Sequence, residues 1–154
     1  MASLYDTDFY AWTQEQSAKL RALLTERTNL DLDIENLVEE IDGMAGGDRK
    51  ELVNRFAIIL VHLLKLAYCF YPDPRKTWRD SVQAQRTSID IMFDQSPSLR
   101  RLAPELLTKA YNKALAQTKN ETINLSIEEL PTVNPFDLDD VLDLTYIPEP
   151  PVRL

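Results

Sequence analysis

A single histidine, His62, stands three residues before Lys65 inside the apolar run Phe56 to Tyr71, FAIILVHLLKLAYCFY. On a helix that spacing puts the imidazole and the ammonium on one face. The pair could act as a general base beside an anion-positioning cation, or contribute a metal ligand. It also has a plainer use. A histidine can pack at the edge of a core while a lysine runs its stem along apolar surface and keeps its ammonium in water. One histidine against an apolar helix favours that structural use. In either case the notch interrupts an element that is hydrophobic nearly all round, and such a helix is central to its fold.

The acids lie elsewhere. Asp31, Glu35, Glu39 and Asp42 form a like-charged ridge at four- and three-residue spacing, with Glu40 beside it. Such pairs cost an isolated helix about 0.2–0.5 kcal/mol each, so the ridge wants cations from another element. Arg79 and Arg86, two turns apart and preceded by Arg75 and Lys76, could supply them as an interhelical salt-bridge network. The sharper alternative is a ligand or metal site in which Glu39, Glu40 and Arg86 join His62, with Lys65 and Arg79 available for an anionic group. Its metal form has little support. Neither Glu-x-x-His nor His-x-x-x-His occurs, and one histidine gives little selectivity. No metal, no cofactor and no catalytic residue is therefore assigned. One cysteine and one histidine do not by themselves make a nucleophile–base pair, and no glycine-rich phosphate loop is present.

These residues must be positioned by a chain of 154 residues, long enough for one domain with its own core. Hydrophobic content of 44% and charged content of 27% are ordinary for a globular protein. The net charge of −8 is unevenly spread: residues 1–47 carry −7, residues 48–119 carry +6 and residues 120–154 carry −7. Acidic ends can fold against a basic middle, and the overall charge opposes binding of nucleic acid. The apolar run is shorter than the roughly 20 residues a bilayer needs and contains two polar residues, so no membrane span is expected. MASLYDTDFY carries acids where a signal peptide carries bases, and Cys69 is the only cysteine; a cytoplasmic location is expected.

The periodicity predicts an all-α, single-domain bundle of about five main helices. The first covers about Asp8 to Glu26, with Phe9, Trp12, Leu20, Leu23 and Leu24 on one face and Asp6 or Thr7 as a cap. The second covers about Asp33 to Met44 and stops at Gly46-Gly47. Asp48 then opens the central hydrophobic helix, about 49–71, which Pro72 ends. A fourth follows Asp73-Pro74 to about Asp94, and Ser96-Pro97 and Pro104 restart the chain into a fifth through Leu106, Leu107, Ala110 and Tyr111. The core spans about 6–118. Residues from about 119 to 154 form a proline-rich strap with short helices at about 127–130 and 138–144, too apolar for disorder.

The motifs YDTDFYAW, LDLDIENLVEEI and HLLK come in that order, then W-R-x-S with a downstream Q-R, PSLR, an A-Y helix and L-P-x-x-x-P-F. In combination they resemble the bacterial family called domain of unknown function 29, over nearly the whole chain, Tyr5 to about Pro148. The resemblance implies a small all-helical protein and no reaction. Two functions stay open. The favoured one is a non-catalytic protein-interaction module with an acidic rim and an aromatic edge (Tyr5, Phe9, Tyr10, Trp12), whose partner is a protein rather than nucleic acid or membrane. The alternative is an enzyme or ligand-binding protein using the notch.

Overall fold

The computed structural model describes residues 1–26, 29–70, 75–122 and 129–152. Those residues form α1 (Leu4–Thr7), α2 (Phe9–Thr25), α3 (Ile34–Tyr68), α4 (Arg75–Gln95), a 3₁₀ turn (Pro97–Arg101), α5 (Ala103–Glu121) and α6 (Leu138–Leu142), with no strand among them. The chain is all-α, as expected. Asp73, Pro74 and the expected helix start at 127 lie outside the described residues, while 129 and 130 are not helical.

Among the described residues there are four long helices, not five, because the expected second and central helices are one. α3 runs unbroken through Gly46 and Gly47. Each glycine costs a helix interior about 1 kcal/mol relative to alanine. Neither adopts the left-handed backbone that ends a helix, and the buried stripe Ile34, Val38, Ala45, Leu52 and Phe56 continues through the pair. Packing on both sides outweighs local propensity. Asp48 is consequently an interior helical residue and not a cap.

Backbone contacts divide the chain into two compact units, Met1–Glu51 with Ile91–Arg101, and Leu52–Asp90 with Leu102–Leu154. In the first unit Asp8, rather than Asp6 or Thr7, caps α2, its Oδ1 accepting from Ala11 N at 3.0 Å. The same carboxylate accepts from Ser98 N at 2.9 Å and Ser98 Oγ at 2.8 Å, which ties the 3₁₀ turn to the start of α2. Ser96 Oγ accepts from Tyr10 N at 2.9 Å. The buried residues of α2 are Tyr10, Thr13 and Ser17, not the expected leucine face, and Leu24 is exposed. Hydroxyl partners make that polar face buriable: Ser17 Oγ donates to Asp42 Oδ1 at 2.6 Å, and Thr13 Oγ1 to Tyr10 O at 2.6 Å.

The second unit holds the apolar part of α3. Leu52, Phe56, Ile59, Leu60, Leu63, Leu64 and Leu66 are wholly inaccessible. Leu66, Cys69 and Trp78 form one cluster, with Ile147 of the strap packed on it. Arg75 Nη2 donates to Leu66 O at 2.7 Å, satisfying a carbonyl in the last turn of α3. Leu130, Phe136 and Val141 bury the strap, and Tyr111 Oη donates to Pro131 O.

Candidate functional site

His62 and Lys65 share a face of α3 and are half-buried, as the spacing predicted. His62 Nδ1 lies 2.7 Å from Ile58 O. A carbonyl only accepts, so Nδ1 carries the proton and Nε2 is left with the lone pair in the neutral ring. Burial lowers the imidazole pKa, the bond to Ile58 and the Glu121 charge oppose that shift, and the Lys65 charge adds to it. Lys65 Nζ pairs with Glu121 Oε2 at 2.5 Å and stands 5.7 Å from the centroid of the Trp78 ring. Glu121 Oε1 accepts from Gln117 Nε2 at 2.7 Å. Burial raises the Glu121 pKa, but the bonds from Gln117 and Lys65 and the Lys65 charge outweigh it, and the net shift is downward.

The carboxylate of this notch is therefore Glu121, a residue the sequence did not single out. Its 56-residue separation from Lys65 left no local signal. The cluster can hold a neutral imidazole beside a closed ion pair. Among the described residues no group of three or more His, Cys, Asp or Glu side chains is arranged to hold a metal ion.

Arg86 serves the strap. It is 1% exposed, its Nε donates to Val141 O and its Nη2 to Asp140 O, both at 2.8 Å. Those carbonyls belong to the last turn of α6, where no intrahelical donor reaches. Burial depresses the guanidinium pKa, while the charges of Asp143, Tyr146 and Asp140 pull it back. Gln83, one turn earlier, donates to Leu144 O at 2.6 Å. Arg86 Nη1 and Gln83 Oε1 are buried without a partner, so Arg86 presents no open face to an anion. Arg79 is exposed.

Glu39 and Glu40 lie on the part of α3 belonging to the first unit, whereas His62 belongs to the second. Both are exposed and hold no ion pair among the described residues. The expected pairing of the ridge with Arg79 and Arg86 thus does not account for it. Among the described residues Asp42 alone of the ridge is paired, with Arg21. Beside the ridge, Leu23, Leu24, Leu30, Leu32, Asp33, Ile34 and Glu35 line an open groove of about 290 Å³. Leu24, Leu30 and Leu32 are 46–54% exposed, as are Leu37 at 41% and Met44 at 50% two turns further along α3. Asp33 caps the start of α3, its Oδ1 accepting from Asn36 N at 3.3 Å and its Oδ2 from Asn36 Nδ2 at 2.6 Å. The expected aromatic edge is real for three of its four members: Tyr5 sits 5.6 Å from Phe9 and 5.0 Å from Trp12, and Phe9 stacks on Trp12 at 5.7 Å. Tyr10 turns inward, where its hydroxyl accepts from Arg49 Nη1 at 2.7 Å.

The motif residues mostly hold the scaffold: Asp8 and Ser98 at the first cap, Lys65 and Trp78 in the notch, Arg86, Tyr111 and Phe136 under or within the strap. Comparison with known proteins agrees with a shared scaffold. The sequence profile described as "Domain of unknown function DUF29" matches residues 4–147. A crystal structure of an α-helical protein of unknown function from Rhodospirillum rubrum superposes with a TM-score of 0.75 at 25% identity, covering 95% of this chain and 93% of that one. The curated proteins give no match.

Proposed function

The chain belongs to the DUF29 family, and we propose that it works as a non-catalytic protein-interaction module whose docking surface is the acid-rimmed leucine groove of the first unit. One observation carries this reading: the exposed Leu24, Leu30 and Leu32 share a groove with Asp33 and Glu35, carboxylates that hold no ion pair among the described residues. Exposed apolar surface rimmed by polar groups is a common property of protein-binding faces. The groove's carboxylates disfavour nucleic acid and anionic membrane, and among the described residues no helix is long and apolar enough to cross a bilayer. A cytoplasmic protein acting without a cofactor fits this use.

The test compares tagged full-length protein with its Leu30→Asp/Leu32→Asp variant in the native cell. A partner recovered in stoichiometric yield with the first and lost with the second supports the module. Equal recovery with both, or recovery lost instead in His62→Gln, removes the groove from the function. A second reading, ligand or metal binding at the notch, draws on the Nε2 lone pair that the Ile58 bond leaves on His62. Stoichiometric transition metal in the native protein, absent from His62→Gln, would favour it.

A further inference from the structure

We infer that the occupant of the groove is a basic amphipathic helix of the partner protein, setting apolar side chains one turn apart against Leu24, Leu30 and Leu32 while its lysines or arginines meet Asp31, Glu35 and Glu39. This rests on the reading that the groove is a docking surface, and it names the chemistry of what docks. At about 290 Å³ the groove sits at the lower edge of the roughly 300–1,000 Å³ of pockets that enclose a small molecule, and it is open to solvent rather than enclosing. It suits side-chain knobs instead. An amphipathic helix offers such knobs one turn apart at i, i+3, i+4 and i+7, whereas an extended peptide adds to a sheet edge, and no strand occurs among the described residues.

Charge selects the flanks. Asp31, Glu35, Glu39 and Glu40 are exposed and hold no ion pair among the described residues. The nearest bases of α2 are engaged, Lys19 with Glu15 and Arg21 with Asp42. A cationic partner supplies the counter-charge that the described residues do not, and like-charge contact turns acidic helices away.

The experiment titrates full-length protein with three labelled peptides of about 18 residues, long enough for helix formation. One carries leucines at i, i+3, i+4 and i+7 flanked by lysines. The second replaces the lysines with glutamates, and the third scrambles the first. The lysine peptide should bind at least roughly tenfold more tightly than either other, and should weaken as salt rises from about 50 to about 500 mM. Leu32→Asp, at a position exposed enough to leave the fold intact by circular dichroism, should abolish the preference. Glu35→Lys with Glu39→Lys should transfer it to the glutamate peptide. Equal binding of lysine and glutamate peptides, lost in Leu32→Asp, would overturn the basic partner and leave the docking surface standing. Absence of binding, or lysine-peptide binding unchanged in both variants or matched by the scrambled peptide, would overturn both.

Discussion

Arg86 and Glu39 are both charged residues on long helices, and the molecule treats them in opposite ways. Arg86 is enclosed and hydrogen-bonds the last carbonyls of α6, and Lys65 nearby in sequence to the same core is paired with Glu121 and stands over Trp78. Glu39 faces water with its like-charged neighbours on α3. Charges of the second unit hold structure together; several of the first do nothing for it. A charged ridge that costs its helix a little and gains no internal partner is where a function outside the fold is best sought.

The largest effects should come from the apolar centre of the second unit. Leu63 is wholly inaccessible, and Leu63→Ala should lower unfolding free energy by about 2–5 kcal/mol, the range for buried large-to-small changes. Equilibrium denaturation measures it. A loss under about 1 kcal/mol would mean that α3 is not central and would blur the contrast between the units.

Arg86→Leu comes next. It leaves the Val141 and Asp140 carbonyls without donors, at a cost of about 1–3 kcal/mol. Hydrogen exchange should rise through 137–147 before it rises in α3. Uniform exchange would show that Arg86 does not hold the strap.

How much of this was legible depends on where each partner lies. The burial of Leu63 and Leu64 followed from the apolar run they stand in, because apolar burial needs no named partner. The role of Arg86 did not, since its acceptors are backbone carbonyls 54 and 55 residues away, and every residue type offers a carbonyl. Ser17 lies off the expected leucine face, and its burial is explained only once Asp42 is placed beside it. Gly46-Gly47 reads as a helix end because propensity is local and the packing that overrides it is not. The groove leucines were read as α2 core or not singled out, because a sequence pattern marks an apolar face without saying whether anything covers it.

His62 tests whether the notch is structural through its pH dependence. Burial sets its folded pKa below the ordinary 6.5, so between the two values the unfolded chain binds a proton that the folded one does not. This contribution to stability is complete above 6.5 and is lost as pH falls through that window toward the folded value. The lowered pKa of Glu121 acts in the same direction, but only below its ordinary 4.5. His62→Gln should cost about 0.5–1.5 kcal/mol near neutral pH and flatten the slope just below pH 6.5. An unchanged slope would assign the titration elsewhere.

Gly47→Ala should stabilise by about 0.5–1 kcal/mol, since an added Cβ meets nothing within 4 Å and the backbone is already helical. A loss of stability would indicate that α3 bends or opens at the glycine pair.

Glu39→Gln should have the smallest effect and bears most directly on the contrast with Arg86. Glu35 and Glu39 are four residues apart on α3, exposed and without ion partners among the described residues. Removing one charge should therefore stabilise the protein by about 0.2–0.5 kcal/mol at low salt, and the gain should vanish as salt screens the pair. Thermal denaturation at two ionic strengths reads both. A destabilisation would mean that Glu39 has an internal cation after all, and would return the ridge to the fold. A salt-sensitive gain would mean that the native residue is kept at a cost to stability, as expected of a carboxylate whose counter-charge arrives on another molecule.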